Sequence, residues 1–211
     1  ANLIALAEQN PKLEFTDCLE AAFAEAKKRS VNGGAVQQNQ AAILALGYVL
    51  GHSSIRSFVG PGLPIPASEA RQALRRVTLR NRRDWVQHYT VSAALQVLSN
   101  ALASMDVGLL KEELDADGGS GFSFGDLLAD RAGTMLAVRA TESEESAKAW
   151  QDRFQNGIAV SDLMPEGADL PEGLSDQEFQ NRFGGVGGEG YKRLLMEIDR
   201  RVESCPAYKS Q

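Results

Sequence analysis

Cysteine is scarce in this chain. Its 211 residues hold two, Cys18 and Cys205, too few for a disulfide scaffold and too far apart for a zinc ribbon. They lie near opposite ends, where domain termini often approach each other, so a disulfide joining the ends and two separate thiols are both open readings. The bond would need an oxidising compartment, and the two expectations of a disulfide and of export support each other. Positive charge is short as well: 22 Lys plus Arg against 28 Asp plus Glu give a net charge of −6. That balance excludes a protein whose business is coating nucleic acid, because phosphate binding needs a dominant positive field. Long apolar runs are missing too. The uncharged stretch 31–55 is interrupted by Gln37, Gln38, Asn39 and Gln40. Trp85 to Met105 lacks Asp, Glu, Lys and Arg, yet its Gln87, His88, Gln96, Ser99 and Asn100 would be costly in lipid. No transmembrane segment is expected.

Period-2 runs bounded by turns are also lacking, so a sheet has little to be built from, and no repeat recurs at solenoid spacing. Helical periodicity is what remains. Helices are expected over Asn2–Gln9, Thr16–Arg29, Val36–Leu50, from Ser68 through Val77, and from Asn81 or Asp84 through Met105. The last of these is apolar around nearly its whole circumference, which marks the central helix of a bundle. Gly108–Asp115 reads as an amphipathic turn, followed by a tight glycine turn over Asp117–Gly121 and anchored by Phe122 and Phe124. Ser123 opens a helix to about Arg139, and Thr141–Phe154 continues helical after a break before Thr141. Gly157–Leu174 reads as an extended loop, Ser175 and Glu178 as a capping box, and Tyr191–Glu203 as the last helix. The expected architecture is all-α: one irregular helical bundle over 1–211, with a motif core at 83–140 and a loop-rich C-terminal arm at 157–211.

Three polar pairs stand at helical spacing beside the central helix. Asp84 and His88 are four residues apart, Glu112 and Asp115 three, Asp126 and Asp130 four. Carboxylates with one imidazole suit a divalent metal ion, or a general acid–base pair whose pKa values burial drives apart. The candidate metal ligands are therefore Asp84, His88, Glu112, Asp115, Asp126 and Asp130, and the candidate catalytic residues His88, Glu112 and Asp126. Each has a plainer reading. Ser123-x-x-Asp126 is a capping-box variant, which would make Asp126 a helix-start device. Asp84 suits a helix N-terminus by the macrodipole, Asp130 would pair with Lys111, and His88 on an apolar helix would be a hydrogen-bonded core histidine. The basic stretch from Arg71 to Arg83 holds six arginines and no acid. It would meet anionic lipid or glycan, or pair with the acidic segment Glu142–Glu145.

The order Asp84-x3-His88, Gly108-x2-Lys111-Glu112-x2-Asp115 and Phe122-Ser123-x2-Asp126-Leu127-x2-Asp130-x2-Gly133 resembles uncharacterised bacterial envelope proteins. It is similar to a family of small periplasmic lipoproteins of unknown function, and more distantly to the VanZ-like membrane family. The likeness covers about Arg83 to Gly133. The chain departs from the lipoproteins in having no lipidation cysteine near Ala1, and from the VanZ-like proteins in lacking several spans. The resemblance implies an envelope location and a functional polar core, and no particular reaction. The chain begins at Ala1 with no basic, apolar leader, as a processed export product or a trimmed chain would. Two expectations follow. One is an exported protein, periplasmic or otherwise exported with the cytoplasm as the alternative location, performing metal-assisted or acid–base hydrolysis of an envelope component, with envelope lipid or glycan as partner. The other is a non-catalytic envelope scaffold whose polar core fixes helix register.

Overall fold

The structure is a computed structural model that describes residues 2–10, 13–53, 55–56, 72–101 and 121–209. Among these residues the chain is all-α, with no strand. In order come α1 (Asn2–Gln9), α2 (Phe15–Arg29), α3 (Ala35–Leu50), α4 (Arg83–Ala101), α5 (Phe124–Thr141) and α6 (Glu144–Gln155). The C-terminal part adds α7 (Val160–Leu163), α8 (Asp176–Phe183), α9 (Glu189–Ser204) and a 3-10 turn, Pro206–Tyr208.

Serine sets three of the helix starts. The side chains of Ser123, Ser143 and Ser175 accept hydrogen bonds from the backbone N–H of Asp126, Ser146 and Glu178, donors that the first turn leaves unpaired. At Ser175 the box closes reciprocally, since Glu178 accepts from the Ser175 backbone N–H at 2.9 Å. Ser143 also explains a departure from expectation. Helix does not run unbroken from Thr141 to Phe154; it stops at Thr141 and restarts at Glu144 behind this cap. The 157–174 loop contains the short α7, whose start is tied by Ala159 N–H to Asp162. Of the helix expected over 68–77, residues up to 71 lie outside the described ones, and only 72–74 are helical.

α4 runs between α3 and α5. It buries Trp85, Val86, Tyr89, Thr90, Val91, Ala93, Ala94 and Val97, and none of its residues from 83 to 99 is fully exposed. Its approach to α5 is tightest at Gly133, where a Cβ would lie 2.0 Å from the carbonyl oxygen of Tyr89. Only a residue without a side chain fits that crossing. Residues 108–120, which hold the expected amphipathic turn and most of the glycine turn, lie outside the described ones; of the two phenylalanines that follow, Phe124 is fully buried and Phe122 stacks on Phe179 at 4.0 Å. Phe183 and Tyr191 join the same aromatic cluster, which seats α8 and α9.

The terminal disulfide is not formed. Cys18 and Cys205 are buried free thiols, and Cys205 Sγ donates to the carbonyl of Arg201 at 3.6 Å. Burial pushes the Cys18 thiol up to about 12 and that of Cys205 up to about 11, so both stay protonated and unreactive.

Candidate functional site

Spacing on α4 builds one wall. Asp84, His88 and Ser92 recur every four residues, so their side chains form a ladder along one face. Asp126 and Asp130 form the matching ladder on α5. The two are in register: His88 lies between Asp126 and Asp130, and Ser92 reaches Asp130. Residue number rises together along both helices through these contacts, so α4 and α5 run in the same direction here.

His88 Nδ1 is 3.2 Å from Asp130 Oδ1, and Ser92 Oγ–H donates to the same oxygen at 2.7 Å. That oxygen already accepts from Ser92, so Nδ1 donates in this contact and Nε2 faces the other way. There it meets Asp126 Oδ2 at 3.6 Å, too long for a hydrogen bond and close enough for strong coupling. The imidazole side chain is 41% exposed, while that of Asp126 is 21% exposed. Asp126 Oδ1 is buried without a hydrogen-bond partner.

A guanidinium lies beside the pair. Arg82 Nε donates to both oxygens of Asp84 at 3.0 and 3.2 Å, Nη2 adds a further bond to Asp84, and Nη1 donates to both oxygens of Glu172 at 2.6 and 2.7 Å. Its nearest approach to Asp126 is 3.7 Å, from Nη2 to Oδ1. The side chain also covers Trp85, with Cζ 4.8 Å from the ring centre. Arg82 is aimed here by a tight turn in which Leu79 and Arg82 exchange both backbone hydrogen bonds at 2.9 Å. Arg80 and Asn81 both take positive φ, 53° and 63°. For Arg80 that conformation costs on the order of 1 kcal/mol. It is held by bonds from its guanidinium to the Met164 carbonyl and to Glu166.

These neighbours push Asp84, Asp126 and His88 apart. Hydrogen bonds from Arg82 hold Asp84 below the ordinary carboxylate range, against the effect of its partial burial. For Asp126 burial is the largest influence, the Asp84 charge adds to it, and together they raise its pKa over the opposing pull of His88, Ser123 and Arg82. Burial alone would lower His88, but the hydrogen bond and charge of Asp130, with Asp126 and Asp84, outweigh it and raise the imidazole.

Of the six residues singled out by spacing, Asp84, His88, Asp126 and Asp130 converge, while Glu112 and Asp115 lie outside the described residues. The expected six-ligand metal site draws on those two residues as well. Among the described residues no group of three or more His, Cys, Asp and Glu side chains is disposed to hold a metal ion. The Arg82 guanidinium provides a cation beside Asp84, Glu172 and Asp126. Ser123 caps α5, since the Asp126 N–H donates to Ser123 Oγ at 3.0 Å, while the Asp126 carboxylate lies 3.6 Å from His88 Nε2. Asp130 serves His88 and Ser92, and Arg131 pairs instead with Asp199.

The basic stretch is also corrected. Arg80 and Arg82 are engaged by Glu166, Asp84 and Glu172, and Arg83 donates to the Leu50 carbonyl. Glu144 does not pair with it; that carboxylate accepts from the N–H groups of Ala35 and Val36 at the start of α3, an anion meeting the positive end of a helix. Arg82, Ser92 and Glu172 were missed by spacing. Ser92 was within reach, one more step along the Asp84–His88 ladder. Nothing local marks Glu172, which arrives from the C-terminal arm. Comparison with protein-family models, with curated proteins and with solved structures finds no match to this chain.

Proposed function

We propose that the protein is an acid–base catalyst of hydrolysis, with His88 and Asp126 as the proton-transferring pair and Asp130 as the residue that orients His88. The observation that supports this best is the line Asp130–His88–Asp126 with one nitrogen fixed and the other left facing a carboxyl. If Asp126 were ionised and His88 neutral, a lone pair would face a negative charge. A single proton shared between Nε2 and Oδ2 removes that repulsion, so the two titrate as a unit. A water held beside the pair, against Nε2, would give a proton to Nε2 as it attacks, while protonated Asp126 would deliver one to the leaving group. No metal ion takes part in this proposal.

The envelope as the place of action, and envelope glycan or lipid as substrate, rest on the resemblance of the 83–133 region. The support that a terminal disulfide would have lent to export is withdrawn by the two free thiols. No helix among the described residues is long and apolar enough to cross a membrane. A scaffold reading is favoured by one observation, the engagement of every N–H edge of Arg82 by Asp84 and Glu172. That guanidinium fixes the start of α4 to the arm whether or not catalysis follows.

The deciding experiment incubates the protein with purified bacterial envelope material between pH 4 and 9 and follows soluble products. Release should fall by about a hundredfold in His88→Gln, in keeping with the loss of one acid–base group. Equal release by the variant, or none from the unaltered protein at any pH, overturns the catalytic reading in favour of the scaffold.

A further inference from the structure

Glu172 is held with unusual firmness for a residue in a long loop. On one side of it, the Pro171 carbonyl accepts from the N–H of Phe124 at 2.9 Å. On the other, Leu174 and Phe122 exchange backbone hydrogen bonds at 2.8 and 3.0 Å. The arm is thus paired to the loop that launches α5, and the Glu172 carboxylate is carried over the first turn of that helix. Gly125 makes the passage. A Cβ there would stand 2.1 Å from Glu172 Oε1 and 3.1 Å from Cζ2 of Trp85. Any side chain at 125 would push the carboxylate off its place on Arg82.

We propose that Glu172 is a positioning residue: by engaging Nη1 of Arg82 with both oxygens, it holds the guanidinium back from Asp126 and leaves Asp126 able to keep its proton. Arg82 has two competing claims on it besides Glu172. Asp84 takes the Nε edge, and Asp126 lies roughly half an ångström beyond hydrogen-bond range of Nη2. With Glu172 in place the guanidinium is neutralised twice over. Without it, an unpaired donor edge would remain next to the buried Asp126 Oδ1, which lacks a hydrogen-bond partner. Turning one N–H to that oxygen would satisfy both groups and fix Asp126 as a carboxylate. The arm therefore governs the charge of the site without touching the reacting atoms. Facing Asp126 are Arg82, Asp84 and His88 from the α4 side, Ser123 from its own helix start, and Glu172 behind Arg82.

The inference rests on the shared proton of His88 and Asp126, and its test reads that proton without needing turnover. The Asp126 carboxyl and the His88 imidazole are titrated by NMR in the unaltered protein, in Glu172→Gln and in Gly125→Ala. The first variant removes the charge; the second keeps it but displaces it, at the end of a flexible side chain that can move aside. In either, proton affinity at Asp126 should fall by roughly tenfold, the effect of gaining a close opposite charge. A raised Asp126 that neither folded variant lowers overturns the role of Glu172 and leaves the catalytic reading standing. Ordinary, independent titration of His88 and Asp126 in the unaltered protein overturns the shared proton, and this inference with it.

Discussion

Two polar clusters lie against the same bundle and are built in opposite ways. The first joins α2, α3 and α6. Asn39 Nδ2 donates to the carbonyls of Ala140 and Ala147 at 2.8 and 3.0 Å, Gln151 Nε2 donates to Asn39 Oδ1 at 2.8 Å, and Ser30 Oγ–H donates to Gln151 Oε1 at 3.1 Å. All three side chains are neutral and buried, and the group closes on itself. The second is the Arg82–Asp84–His88–Asp126–Asp130 cluster between α4 and α5. It is charged and partly open, and it leaves one carboxylate oxygen without a hydrogen-bond partner. A buried polar group left unpaired costs stability, so a cluster serving only the fold has every reason to close. The open cluster is the one whose residual demand can be met by something outside the chain.

The helix crossing beneath the open cluster should prove the most sensitive point of all. Gly133→Ala would place a methyl 2.0 Å from a backbone oxygen and 2.8 Å from the carbonyl carbon of Tyr89. No side chain there can swing away, so α4 and α5 must part. We expect a loss of at least about 3 kcal/mol in urea unfolding, the upper end of overpacking costs, and separation of His88 from Asp130. A loss under about 1 kcal/mol would mean that the two helices slide freely, and the site would not be rigidly held. Next in size is Asn39→Ala. It strips the Ala140 and Ala147 carbonyls and Gln151 of partners in a dry interior, for an expected loss of about 2–3 kcal/mol. A near-neutral result would erase the contrast between the closed and open clusters.

Helices and site were legible to different depths in the sequence. Ser123 and Ser175 announce α5 and α8 because a cap is a local device, and Gly184 ends α8 in the left-handed conformation that glycine favours. Four-residue spacing found Asp84, His88, Asp126 and Asp130 because a helix face is also local. The cation beside these carboxylates was not legible, for a non-local reason: Arg82 is delivered by a turn of Arg80 and Asn81 with positive φ, and only Asn81 hints at it. Glu172 reaches the site through backbone pairing of a loop to a distant loop, and no periodicity records such a contact. The pairing expected between Arg71–Arg83 and Glu142–Glu145 missed similarly for Arg80 and Arg82, whose charges are answered by Glu166 and Glu172 in the C-terminal arm, while Arg75 and Arg76 stay exposed.

The smallest expected effect is also the one with an unusual sign. Asp126→Asn should stabilise the protein at neutral pH, by on the order of 1 kcal/mol. Asp126 has a raised pKa in the fold, so its favourable contribution is complete below the unfolded carboxylate range and is lost as pH rises through the folded value. His88, also raised, contributes fully below the ordinary imidazole range and loses that contribution as pH rises through its own folded value. Asp84 is lowered, so its contribution is present above the ordinary carboxylate range and disappears as pH falls through its folded value. The unaltered protein should therefore weaken from mildly acidic to neutral pH as Asp126 and His88 lose their protons. Asparagine keeps the shape of Asp126 and cannot ionise, so the variant should escape part of that decline. Near pH 3, where Asp126 is already neutral, the two proteins should have the same stability. Urea unfolding at both pH values is the measurement. A loss at neutral pH comparable to that of Asn39→Ala would place Asp126 in a self-satisfied structural network, and the difference between the two clusters would then be one of charge alone.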